Sequence, residues 1–154
     1  MINNLLIAIL LSMAPIAELR GGIPYGIGFG YDPLLVFALC TLANILIILV
    51  IFAFLDYLHE FFMNIKPYRK LFTKVVERGR KKIEKRLGTS WEFVALYLLV
   101  AIPLPGTGAY TGTIVSWFFK LDRKKSLVAI TLGVITAGII LTLASGYPVC
   151  HPVY

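Results

Sequence analysis

The chain has 154 residues, of which 58% are apolar and 15% charged, whereas an ordinary soluble domain is roughly 45–50% apolar. Mean hydropathy is +0.83, and the apolar residues come in runs that a domain of this length could not all bury. The composition therefore describes an integral membrane protein and excludes the soluble enzyme classes. A net charge of +7 would ordinarily point to nucleic acid, but ten of the fifteen basic residues lie between Lys66 and Arg86, in a block flanked by apolar stretches. That is the pattern of a cytoplasmic loop under the positive-inside rule, and no nucleic-acid partner is expected.

From Leu5 to Met13 the sequence is almost purely apolar, and Pro15, Glu18, Arg20, Gly21, Gly22 and Pro24 then follow in quick succession. Such a cluster breaks a helix. A run from Ile2 to Ala14 reaches about 20 Å at about 1.5 Å per residue, short of the roughly 30 Å hydrocarbon core. Residues 2–30 therefore read as a re-entrant hairpin. The opening run also resembles the apolar part of a signal peptide, yet no Lys or Arg precedes Arg20, so it is kept as structure. After Tyr31-Asp32-Pro33, where proline suits a helix start, residues 33–60 are apolar and long enough to span. Residues 1–62 make a first repeat on this reading.

In residues 63–90, Tyr68, Leu71, Phe72, Val75, Val76, Ile83 and Leu87 recur at spacings of three, four and seven with charges between them. That spacing predicts a basic amphipathic helix on the cytoplasmic leaflet, with Lys81, Lys82, Lys85 and Arg86 as candidate lipid-surface residues. A solvated linker is the plainer reading of the same stretch.

Residues 91–146 repeat the plan. An apolar run ends at Pro103-Leu104-Pro105-Gly106-Thr107-Gly108, a short apolar return closes a hairpin over 91–119, a polar turn runs from Lys120 to Lys125, and 126–145 form a second span before the tail 147–154. At a constant offset of 90 residues Pro15 falls on Pro105, Gly22 on Gly112 and Asp32 on Asp122, which argues for an internal repeat. Charge placement tests the topology. If each broken stretch crossed the membrane once, the Lys66–Arg86 block and the Lys120–Lys125 cluster would lie on opposite faces. If each enters and leaves on one side, both clusters are cytoplasmic and both termini outside. The expected fold is an all-α integral membrane protein, an inverted repeat of a re-entrant helical hairpin plus a transmembrane helix.

Glu18 and Arg20 are the only charged side chains between Met1 and Tyr31, and both fall where the first hairpin is deepest. A charge at that depth costs at least about 2.5 kcal/mol on insertion scales and usually faces a cavity or a partner. Glu18 is the candidate carrier of a proton or cation, and Arg20 the candidate holder of an anionic head group; a structural ion pair between them is the alternative. Gly21, Gly22, Pro105, Gly106, Thr107, Gly108, Tyr110, Thr111 and Gly112 complete the candidate site, since broken backbone and a helix N-terminus suit an anion. Tight turns or close packing would explain the glycines equally. Asn44 in the first span reads as a packing hydrogen bond. The stripe Ala129, Gly133, Ala137 reads as a helix interface, and Asp56, His59 and Glu60 as a solvated helix end. Cys40, Cys150, His59 and His151 are too scattered for a disulfide framework or a metal site, and neither a catalytic constellation nor a cofactor motif is present. No enzymatic activity, metal or cofactor is expected.

The string from Pro15 to Gly26, PIAELRGGIPYG, followed by the string from Ala101 to Gly112, AIPLPGTGAYTG, resembles the small multidrug export protein family. That family is distantly similar to the DedA (SNARE-associated, VTT) membrane proteins, which are built from two facing re-entrant hairpins and linked to proton-dependent movement of lipid phosphates. The resemblance implies a prokaryotic plasma membrane. It also implies that Glu18 takes the family's acidic role, and that Arg20 stands in for the arginines that DedA-type proteins carry on the second hairpin, where this chain has none between Trp91 and Phe119.

The expected function is a secondary membrane transporter or lipid translocase, proton-coupled through Glu18, that moves an anionic lipid or amphipathic substrate between the hairpins. One alternative is export of cationic amphipathic compounds, with Glu18 as counter-charge and Tyr25, Tyr110 and Trp117 stacking on the substrate. Another is a membrane-organising protein without transport. So small a chain offers little protein to seal a path, and a two-fold homodimer is the simplest assembly that would.

Overall fold

The computed structural model describes residues 2–63, 89–103 and 107–146, and the regular structure among them is helical throughout. The amphipathic segment expected over 63–90, with Lys81, Lys82, Lys85 and Arg86, lies outside the described residues except at its ends. So do Pro105, Gly106 and the tail 147–154.

Helix α1 (Ile2–Met13) stops just short of Pro15, which lacks a donor and disfavours helical geometry at Ala14. Helix α2 (Glu18–Gly28) then opens on Glu18 at φ +47°, a left-handed conformation that non-glycine residues seldom hold without compensation. It closes on a turn with Gly30 at φ +82°, in which the Gly30 N–H donates to the Ile27 carbonyl at 2.9 Å and the Tyr31 N–H to the Gly26 carbonyl at 3.3 Å. That pair of bonds is the Schellman motif. Asp32 caps α3 (Pro33–Met63), its Oδ1 accepting the Leu35 N–H at 2.9 Å, while Pro33 occupies a first-turn position that needs no donor.

The same devices recur in the second half. Helix α4 (Thr89–Ala101) ends two residues before Pro103, and α5 (Ala109–Phe118) returns from the second break. After α5, Lys120 at φ +52° donates to the Trp117 carbonyl at 3.1 Å and Leu121 to the Ser116 carbonyl at 3.0 Å. Asp122 then caps α6 (Arg123–Gly146), its Oδ1 accepting the Lys124 and Lys125 N–H groups at 3.0 and 3.1 Å. The cap explains why this helix begins ahead of the apolar run at Ser126.

Helix α1 packs on α2 and α3, and α4 packs on α5 and α6; between the halves α2 lies against α6, α5 against α3, and α3 against α6. Exchanging the two halves maps this set of contacts onto itself. Close approach within each half depends on a glycine at the same relative position. A methyl group on Gly22 would fall 2.5 Å from the Ala8 carbonyl oxygen, and one on Gly112 would fall 2.6 Å from the Val100 side chain. Ile23, Val36, Cys40, Ile48, Val100, Ile130 and Val134 fill the centre.

Pro33–Leu58 and Arg123–Gly146 are long and apolar enough to cross a membrane, and only 33% of the most apolar window of each is buried. Leu42, Leu46, Val50 and Phe54 on α3, and Val128, Leu132, Ile139 and Leu143 on α6, are exposed. The core helix of a soluble protein would bury such faces, whereas a bilayer solvates them.

Candidate functional site

The two breaks meet, and the polar groups that the sequence places in them bond across the junction. One oxygen of the half-buried Glu18 carboxylate, Oε1, accepts the Tyr110 N–H at 3.2 Å, and the Ala109 N–H also bonds to the carboxylate. These belong to the first turn of α5, whose N–H groups have no partner within the helix. A negative charge there also meets the positive end of the helix dipole. Gly108 precedes the helix at φ +144°. A Cβ on it would lie 1.9 Å from Glu18 Oε2, so the carboxylate fits only because residue 108 has no side chain.

Two residues further along α2, Arg20 Nη2 donates to the Thr107 carbonyl at 2.6 Å and to Thr107 Oγ1 at 3.0 Å. Thr107 in turn donates its hydroxyl to the Ile102 carbonyl at 2.8 Å, holding the second break to the end of α4. The Tyr110 hydroxyl donates to the Met13 carbonyl at 2.5 Å, which occupies an acceptor left open at the end of α1. Among the described residues, Glu18 and Arg20 thus bond to the second break and not to each other.

Of the residues that the sequence singles out, the structure brings Glu18, Arg20, Thr107, Gly108 and Tyr110 together. Thr111 completes the first turn of α5. Gly21, Gly22 and Gly112 lie inside helices, where added methyl groups would strike Ala17, Ala8 and Val100 respectively. Tyr25 packs against Phe29 with ring centroids 4.6 Å apart.

Beside the junction is a cavity of about 10 Å³ lined by Glu18, Arg20, Asn44, Gly108, Val134 and Leu141, among others. Asn44 is 1% exposed and donates Nδ2 to the Ser12 carbonyl at 2.7 Å, tying α3 to the end of α1. Its Oδ1 has no partner among the described residues.

A second polar cluster was not visible in the sequence, which reads Asp56 as a solvated helix end. Asp56 does reach water at that end of α3, and it also accepts the Trp117 indole N–H at 3.0 Å through Oδ1 and forms an ion pair with Arg123 through Oδ2. The Arg123 guanidinium also lies over the Phe52 ring at 5.2 Å from its centroid. A cavity of about 240 Å³ opens beside them, with Lys120 on its wall. The cluster joins the C-terminal part of α3 to the end of α5 and the start of α6. Its members are far apart in sequence and share no periodicity, so no local signal could have found them.

Fold and site together define an all-helical membrane protein in which two helix breaks are held against each other by a carboxylate and a guanidinium. The chain belongs to the family described as "putative small multi-drug export protein", whose model matches residues 18–140. The matched span opens on Glu18, just after the first break, and takes in the second. Comparison with curated proteins and with solved structures returns no match.

Proposed function

We propose that the protein is a secondary membrane transporter that exports small amphipathic compounds, coupled to protons through Glu18, with the junction of the two breaks as its working site. The observation that carries this reading is the Glu18 carboxylate seated on the N-terminus of α5. A helix N-terminus is an anion site, and here a titratable side chain of the opposite half fills it. Protonation of Glu18 removes the charge that holds it there and frees the turn, which gives a proton a way to loosen one half from the other. An anionic substrate group competes for the same N–H groups. Arg20, within the same junction, supplies the matching positive charge.

The family description supports export. An inverted repeat of re-entrant hairpins is the arrangement we propose for the two halves, supported by a contact pattern unchanged when the halves are exchanged. It is supported also by the Asp56–Arg123 pair, which sets the end of α3 and the start of α6 at one level. The basic block after α3 and the Lys120–Lys125 cluster then share the cytoplasmic face, as the positive-inside rule requires. The resemblance to DedA-type proteins supports lipid phosphate as one anionic substrate, and a two-fold dimer would enclose the path.

The test is flux in proteoliposomes with and without a proton gradient, native protein against Glu18→Gln, using a panel of labelled lipid phosphate, small amphipathic anions and lipophilic cations. Gradient-driven movement that disappears in folded Glu18→Gln is the expected result, and the panel member moved gives the sign of the substrate. Retained movement in Glu18→Gln removes the proton role, and no movement of any compound removes the transporter reading.

A further inference from the structure

Asn44, whose amide oxygen has no partner among the described residues, lines the same cavity as Glu18. Its amide orientation is fixed by chemistry, because the Ser12 carbonyl accepts from Nδ2 at 2.7 Å and the flipped amide would set two acceptors against each other. Oδ1 therefore points away from Ser12, in a residue 1% exposed, with nothing among the described residues to donate to it. A buried acceptor in that condition calls for an explanation. The cavity that Asn44 shares with Glu18 measures about 10 Å³, about the room that one water molecule needs. Glu18 engages the N–H groups of α5, and a carboxylate has capacity for about four such bonds in all.

We propose that this cavity binds a single water molecule that bridges Asn44 Oδ1 and the Glu18 carboxyl group, and that through it Glu18 gains and releases its proton. The inference rests on the reading of Glu18 as the proton carrier. In the ionised state the water donates one hydrogen to Asn44 Oδ1 and the other to the carboxylate. When an excess proton is passed to this water it becomes a hydronium ion; one of its O–H bonds then breaks, the proton forms an O–H bond on the carboxylate, and the same water remains, neutral again. The carboxylic acid then donates to that water, which still donates to Asn44. The N–H groups of α5 can only donate, so they favour the ionised carboxylate. Asn44 Oδ1 can only accept, and the water donates to it in both states, so Asn44 anchors the water while the carboxyl group changes. The water thus stays in place as Glu18 changes from acceptor to donor, which gives the proton a fixed point of entry and exit.

Infrared difference spectroscopy on the full chain in lipid nanodiscs tests this. On acidification the native protein is expected to gain a carboxylic C=O band that Glu18→Gln abolishes. In Asn44→Leu the band is expected to move to higher wavenumber, as the acid loses its acceptor chain. The native protein should also show magnetisation transfer from water to the Asn44 side-chain amide in a water-edited NMR spectrum, a measurement that needs no variant to fold. A Glu18 band unmoved in Asn44→Leu, or no transfer to Asn44, overturns the water site and leaves Glu18 as carrier. No Glu18-dependent band at any pH overturns the carrier reading, and the proposal with it.

Discussion

The Glu18 carboxylate caps α5 from the opposite half of the protein, accepting the Tyr110 N–H at 3.2 Å. The cap is possible only because Gly108 leaves room for it. Gly108→Ala would place a Cβ 1.9 Å from Oε2 and drive the charge off the helix. The expected loss is the strain of the new side chain plus about 1.5–3 kcal/mol for a charged acceptor deprived of its N–H donor, read as a lower thermal midpoint in detergent. In a Glu18→Ala background the same substitution should cost only its backbone strain, on the order of 1–3 kcal/mol for a conformation that is essentially glycine's alone, and that non-additivity is the signature of the contact. Equal losses in both backgrounds would mean that the carboxylate does not depend on the gap.

Thr107 is bonded on both sides, accepting from Arg20 at 3.0 Å and donating to the Ile102 carbonyl at 2.8 Å. Thr107→Val preserves the shape and the main-chain carbonyl that also holds Arg20. It removes both hydroxyl bonds, and a loss of about 1–2 kcal/mol follows. Thr107→Ser retains the hydroxyl and should stay within about 0.5 kcal/mol of the native protein. The comparison is a pair of thermal unfolding curves; a serine variant as weak as the valine one would assign the effect to the methyl group.

What the sequence makes legible is mostly local. Asp32 and Asp122 coincide at the repeat offset, and both are helix caps; caps and breaks depend on residues within a turn of one another, so composition and spacing reveal them. The two long apolar helices are legible for a similar reason, since a run of apolar residues either reaches across a bilayer or does not. Gly22 and Gly112 were readable as special positions but not as to purpose, because a glycine that binds an anion and one that admits a neighbouring helix look alike. Glu18 stood out as a buried charge, yet its seat on α5 depends on how the halves dock. The Asp56–Trp117–Arg123 cluster joins three helices and left no trace in any window of sequence.

Asp56 and Arg123 are 43% and 54% exposed, so water screens their pair, and each single neutralisation should change stability by less than about 1 kcal/mol. The indole N–H is a better reporter. With Trp91→Phe removing the only other tryptophan, Asp56→Ala should alter the emission of Trp117 by taking away its acceptor, while thermal stability hardly moves. An unchanged spectrum would place the Trp117 N–H on another partner.

Lys120 and Gly30 hold the same position in the two Schellman turns, at φ +52° and +82°. Glycine adopts that conformation freely, whereas an L side chain is strained there by about 1 kcal/mol. Lys120→Gly relieves the strain but lets the unfolded chain sample more conformations, which takes back part of the gain. A net rise of about 0.5 kcal/mol is expected, seen as a higher thermal midpoint. Lys120→Ala removes the same charge and keeps the strain, so the difference between the two variants isolates the backbone contribution. Gly30→Ala should lose about 1 kcal/mol in the matching turn; its Cβ would meet nothing within 4 Å, so the loss would report conformation alone. If glycine and alanine at 120 proved equally stable, the turn would be held by its neighbours firmly enough that the left-handed residue costs nothing.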